Sequence, residues 1–390
     1  MPRPKWITDW EQAMYEARSN RLGPVVLNDA ARRAVNLIYA EMLLEIERIV
    51  ATSEGALNPV VADTMVRRLR SIITAARINL TGDVEDRINS IIEAIVGAHE
   101  DAFSKAFTSA GVQGSITANF SAVPARAIEL MALRSQAAGI SGNFRSLIAT
   151  QWGRTFEQVD RFIASQVGLG VSAETSKRRL AFMLASGSNG KIDPALMRAL
   201  RTRGVAGRRF AQLLRRLEAD PDNLGFKTKG EAREQLATAR GLLWKSRRIM
   251  VSETNTAHSE AHREASIESP VVGYLRWNLS GRHAGLPSSP DVCDTLANRD
   301  LHGLGKGVYY PETYPIRPHP NCGCFQSFVL RPITEWGNDK EEPRRAKRVT
   351  AAQMKADYGG DISDKAARRL SSRLNAQFKA VENTWDASRS

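Results

Sequence analysis

Cysteine is nearly missing from this chain, with three in 390 residues. An odd count excludes a complete disulfide framework and leaves at least one sulfur free or metal-bound. No apolar run approaches the roughly 18 residues that a bilayer-spanning helix needs, so no membrane span is expected. Residues 1–21 are polar with scattered charges, unlike a signal peptide. A reducing, cytosolic setting is the default expectation. The sequence also lacks an internal repeat, and no Ser/His/Asp arrangement or isolated carboxylate pair nominates a nucleophile.

What the chain does carry is positive charge. The net charge is +13 and the isoelectric point is near 9.9. Residues 171–250 hold 18 Lys plus Arg against 7 Asp plus Glu, which is most of the excess. Such a block fits a polyanion, because each neutralised phosphate releases a counterion. A membrane surface, an acidic protein or a solvated face would fit the same composition. The candidate contacts are Lys177, Arg178, Arg179, Arg201, Arg203, Arg208, Arg209, Arg215 and Arg216. Only Phe210 lies among the later arginines, so base stacking is disfavoured and contact with duplex phosphates, without sequence reading, is the stronger form.

Apolar periodicity predicts a mainly α chain: an elongated helical N-terminal region, a small α+β Cys/His domain and a helical C-terminal tail. Val35, Ile38, Met42, Ile46 and Ile49 mark one face of a helix starting near Asn28 or Asp29. Met65, Leu69, Ile72, Ala76 and Leu80 repeat the pattern, and Thr81-Gly82-Asp83 is expected to break it into a helical hairpin before Val84. Ile148, Trp152, Phe156, Val159 and Ile163 form a stripe ended by Gly168-Leu169-Gly170, and Ser172 is the expected N-cap of the next helix. A helix is predicted from Leu242 to about Ile267, then strands over 271–279 and 325–330 with a proline-rich loop region between them. A charged linker over 337–348 and a helical tail from Ala351 to about Trp385 complete the chain. The segments read as 1–170, a helical body; 171–245, a basic helical segment; 246–330, the α+β domain; and 331–390, linker and tail.

All three cysteines and five of the six histidines fall between residues 258 and 324. Cys293, His319, Cys322 and Cys324 make a Cys3His set suited to tetrahedral zinc, whose preferred donors are thiolate and imidazole. A structural zinc, a metal-free cluster of buried thiols and hydrogen-bonded histidines, and a catalytic metal all satisfy the sequence, and His283 or His302 can stand in as ligands. His258-Ser-Glu-Ala-His262 misses the His-Glu-x-x-His order of zinc hydrolases by one position, so these histidines are expected on a solvated or interface face. His99 is expected at the surface. Gly303-Leu304-Gly305-Lys306-Gly307 lacks Walker spacing and reads as a tight turn.

Residues 249–330 resemble the phage Mu protein F-like domain of phage head morphogenesis (minor capsid) proteins. The resemblance rests on Ser252-Glu253-Thr254-Asn255, Gly273-Tyr274 with Trp277, Asp291-Val292-Cys293-Asp294, Leu296-Ala297, the glycines 303, 305 and 307 with Val308-Tyr309, and Pro318-His319-Pro320-Asn321-Cys322-x-Cys324. Val251 stands where family members often have Arg, and Thr295-Leu296 where many have a second cysteine. The resemblance implies a non-enzymatic virion protein, assembled in the host cytoplasm and placed inside the capsid at the portal vertex. Its implied partners are the portal protein, the major capsid or scaffold protein and double-stranded DNA. The rival reading is a zinc-dependent nuclease or hydrolase, or a toxin-like effector, with Glu253 or Glu260 as its acid/base group.

Overall fold

The computed structural model describes residues 4–19, 24–53, 55, 57–112, 116, 118–137, 144–186, 191–220, 224, 242–280, 291–315, 322–357 and 362–389. Among the described residues helix dominates, at 72% against 6% strand, so the mainly α class holds. Two compact units divide the chain discontinuously: one holds residues 1–27, 86–143 and 252–390, the other 28–85 and 144–251.

The second unit is helical. Its helices are α2 (Pro24–Ala51), the first half of α3 (Pro59–Ala110), α5 (Phe144–Gly168), α6 (Ala173–Ala185), α7 (Pro194–Arg201), α8 (Gly204–Ala219) and the start of α9 (Leu242–Glu268). The expected break at Gly82 does not occur, because α3 runs through it without interruption. A helical glycine costs only about 1 kcal/mol relative to alanine, too little to end a helix with apolar faces on both sides. Gly82 lacks the positive φ that a helix-ending glycine adopts. Gly170 does adopt one, at 62°, just beyond α5. Val35, Tyr39, Met42, Leu43 and Ile46 are fully buried on α2, and the Tyr39 ring lies 5.7 Å from that of Trp152. Ser172 caps α6 as expected, its hydroxyl accepting from the Thr175 N–H. Asp193 caps α7 through the N–H groups of Ala195 and Leu196 and also binds Arg247, which reaches Asn36 as well. α7 and α8 cross so closely that a Cβ on Gly207 would meet the Leu200 carbonyl oxygen at 2.0 Å.

The first unit surrounds a three-stranded antiparallel sheet of order β2-β1-β3, with β1 at Val272–Asn278, β2 at Val308–Tyr309 and β3 at Phe325–Leu330. Both expected strands are present. Leu275 and Trp277 face the core with Arg276 outside, as alternation requires. Val272 breaks the alternation yet is buried, because a bulge between Val272 and Tyr274 shifts the register by one residue. The proline-rich loop region contains two elements that its composition hid, β2 and the helix α10 (Val292–Asn298).

Helix α1 (Lys5–Ser19) joins this core through Trp6, set edge-on to Trp336 at 4.9 Å, and Trp10, edge-on to Phe328 at 6.0 Å. The remaining helices are α4 (Val123–Ala137), α11 (Ala351–Asp357) and α12 (Asp364–Arg389), so the predicted single tail is two helices. Phe378 of α12 stacks on Tyr309, with ring centroids 6.0 Å apart. Residues 337–350 are no free linker. Lys340 Nζ donates to the carbonyls of Ser266 and Ile267 at the end of α9, at 2.6 and 2.9 Å, and Lys347 N donates to Leu301 O at 2.8 Å. Ala346 N donates to the Glu382 carboxylate at 2.9 Å. Charged composition concealed a strap in which the Lys340 cation satisfies the orphan carbonyls at the end of α9.

Candidate functional site

The three cysteines converge. Cys293 arrives on α10, where Asp291 and Asp294 form a capping box: Asp291 accepts from the Cys293 N–H, and Asp294 accepts from the Asp291 N–H. The Asp-Val-Cys-Asp segment is thus a helix start that turns Val292 and Cys293 inward. Cys322 and Cys324 lead into β3. All three are buried, among Val271, Leu275, Trp277 and Leu296. Their sulfurs lie within 4.8 Å of one another, with Cys293 Sγ and Cys322 Sγ at 3.5 Å.

With Zn–S bonds of about 2.3 Å, the sulfurs of a tetrahedral site stand roughly 3.8 Å apart. The observed spacing is of that size, so three buried cysteines here can hold a metal ion. The thiols of Cys322 and Cys324, and then burial, push Cys293 far above the ordinary range. Hydrogen bonding to Cys293 lowers Cys324, but Cys322 and burial outweigh it and leave that thiol at about 11. Three thiolates packed this closely need a cation among them, and metal capture would release their protons. His319 and His283 lie outside the described residues. His302 is buried, its Nδ1 paired with the Arg344 carbonyl at 2.7 Å and its pKa lowered by burial, and it does not belong to the thiol group.

Helix α9 closes over this centre. Asn255 Nδ2 reaches the Cys322 carbonyl at 3.5 Å, and Ser259 and Gln326 exchange two hydrogen bonds of 3.1 Å. His262 is not on a solvated face: it is 1% exposed, and its Nδ1 lies 3.0 Å from Nε2 of His99, which is 0% exposed. His99 is therefore a core residue, enclosed by Trp10, Phe120 and Phe328. A lone polar residue on a helix gives no sign that a second imidazole from another helix will satisfy it. His258 is half-buried beside His262. Glu260, offered as an acid/base group, is 3% exposed and bound to Arg263 at 3.1 Å. Arg263 also donates to the carbonyls of Pro311 and Glu312, so this pair fastens α9 to the loop after β2.

The glycine-rich segment is filled from within. The Asp300 carboxylate accepts from the N–H groups of Gly303 and Leu304 at 2.7 and 2.9 Å. It occupies the place a phosphate would take in a nucleotide loop, which agrees with the tight-turn reading.

Comparison with family models, curated proteins and solved structures finds no match.

The basic candidates divide into two groups. Lys177 is 7% exposed and bound to Glu47 and Glu174 at 2.9 and 2.6 Å; burial would lower its pKa, but these carboxylates outweigh it and raise it. Arg179 is 3% exposed and donates to Leu224 O and Gln166 Oε1, both at 2.9 Å. Both leave the set of phosphate contacts, because their cations are already spent inside the unit. Arg178 is half-buried on Glu174. Arg201, Arg203, Arg208, Arg209, Arg215 and Arg216 are exposed on α7, α8 and their connection, and among the described residues their side chains make no ion pair or hydrogen bond. The apolar residues of α8, Phe210, Leu214 and Leu217, face inward and leave the arginines outside.

Proposed function

We propose that the chain is a structural and assembly protein of a tailed-phage head, acting at the portal vertex on the capsid interior and not as an enzyme. The observation that carries this reading is that the family-like segments fold onto one centre. The Asp-Val-Cys-Asp helix start, the Cys-x-Cys lead into β3 and the Asn255 contact all meet at the three sulfurs. Zinc held by Cys293, Cys322, Cys324 and His319 would staple the α+β unit by tying the start of α10 to the lead into β3. The arginines of α7 and α8 then face either DNA phosphates or an acidic portal surface. The portal, the major capsid or scaffold protein and the duplex backbone are the proposed partners.

Particles produced from the genome that encodes the chain provide the test. Mass spectrometry of purified particles is expected to find the protein, and particles made without it are expected to show reduced DNA content. Its absence from particles, with normal packaging in the deletion, would overturn the proposal.

A further inference from the structure

Helix α8 packs against its own unit along one side only. Phe210, Ala211, Leu214 and Leu217 are buried on that side, where Gly207 lets the helix approach α7. At about 100° per residue, Val205 and Gln212 come out opposite the middle of the buried side and form an outer ridge. Both are exposed, Val205 at 57%. Arg208 and Arg215 make a row on one flank of this ridge, and Arg209 and Arg216 a row on the other, each roughly 50° round the helix from it. Within a row the two positions are about 10 Å apart along the axis. All four arginines are exposed, and among the described residues their side chains make no ion pair or hydrogen bond.

Nothing acidic interrupts this pattern. Glu218 is the one carboxylate of α8, and it accepts from the Ile192 N–H at 2.9 Å. Arg203 holds the N-cap position without a side-chain cap bond, so no side chain caps the positive end of the helix dipole. Arg201 is exposed at the end of α7, just before that point.

Two cationic rows on either side of an uncharged ridge differ from a basic patch of no particular form. A flat acidic surface would meet the ridge or one row, and a single strand offers one backbone. Duplex DNA presents two phosphate backbones on the two sides of a major groove about 12 Å wide, which admits a helix of about 10–12 Å with its side chains. Resting on the duplex-phosphate contact proposed above, we infer that α8 inserts into the major groove of double-stranded DNA. Arg208 and Arg215 meet one backbone, Arg209 and Arg216 the other, and Val205 and Gln212 point to the base edges. Gln212 is the one side chain of the ridge able to hydrogen-bond a base, so fit to the groove, more than sequence, sets the affinity.

Fluorescence anisotropy of the full chain, with a labelled mixed-sequence duplex and with one of its strands alone, tests the inference. The duplex is expected to bind roughly tenfold more tightly than the single strand. Methyl green, which occupies the major groove, is expected to displace the protein, and netropsin, which occupies the minor groove, is not. The row variants Arg208→Gln with Arg215→Gln and Arg209→Gln with Arg216→Gln are each expected to weaken duplex binding by roughly tenfold at an unchanged melting temperature. Absence of duplex binding, or tighter binding of poly-glutamate than of duplex, would overturn the phosphate contact and the groove insertion together, the second result in favour of an acidic protein partner. Equal binding of the single strand, displacement by netropsin but not by methyl green, or a loss confined to one row would overturn the groove insertion and leave the phosphate contact standing.

Discussion

Cys293, Cys322 and Cys324 are three similar side chains whose joint behaviour differs from that of any one. A single buried thiol is inert, whereas three within 4.8 Å hold a metal or resist ionisation together. Elemental analysis of the purified chain is expected to find about one zinc per molecule, lost in both Cys293→Ser and Cys322→Ser together with several degrees of melting temperature; metal-free wild-type protein in reducing buffer would refute it. Lys340 gives a second residue-scale prediction. Burial lowers its pKa to about 8, below the unfolded value near 10.4. Between those values the unfolded chain binds more protons, so this group's contribution to stability rises with pH. Chemical denaturation of wild type and Lys340→Met is expected to show that the substitution removes this upward component between pH 8 and 10, most simply read as the difference between the two curves. Identical slopes would show that Lys340 keeps its ordinary pKa in the fold.

The elements most legible in sequence were those whose period or chemistry is local. β3 and α9 appear where alternation and 3.6-residue spacing put them, and Ser172 caps its helix. The sequence pattern departs from the structure for two physical reasons. At Gly82 the cost of a helical glycine is small and its neighbours carry the helix through it. At His99 and residues 337–348 the deciding partner is distant in the chain: His262 lies on another helix, and the cations and N–H groups of the charged segment meet carbonyls and a carboxylate elsewhere. Of the site, the cysteines were legible from clustering, but the commitment of Lys177 and Arg179 to internal partners was not. Two glycines of the second unit now carry opposite predictions. At Gly82 an added Cβ meets nothing within 4 Å and the backbone is helical, so Gly82→Ala should stabilise by about 0.5–1 kcal/mol. At Gly207 the added Cβ would strike the Leu200 carbonyl, so Gly207→Ala should destabilise by roughly 1–3 kcal/mol as α7 and α8 are forced apart. Urea denaturation of the two variants checks both signs.

For the whole molecule, the +13 charge matters through where it is free rather than through its total. Six exposed arginines of α7, α8 and their connection are available to a polyanion. If all six meet duplex phosphates, the logarithm of affinity should fall with the logarithm of salt concentration with a slope of about −5. Reversing Arg208, Arg209, Arg215 and Arg216 to Glu should abolish most of that slope, whereas Lys177→Gln should lower stability and leave the slope nearly unchanged. Fluorescence anisotropy with unrelated duplex sequences measures both, and a salt-insensitive affinity would exclude DNA as the partner of this face. The discontinuous division of the chain also sets a timetable. Trp10 packs on Phe328, which lies far towards the other end of the polypeptide. At about 5–20 residues per second, the first helix leaves the ribosome on the order of 15–60 s before its partner exists. Through that interval the tryptophans of α1 have α3, with His99, to lie against but neither Phe328 nor Trp336, so part of this apolar face waits uncovered on the nascent chain.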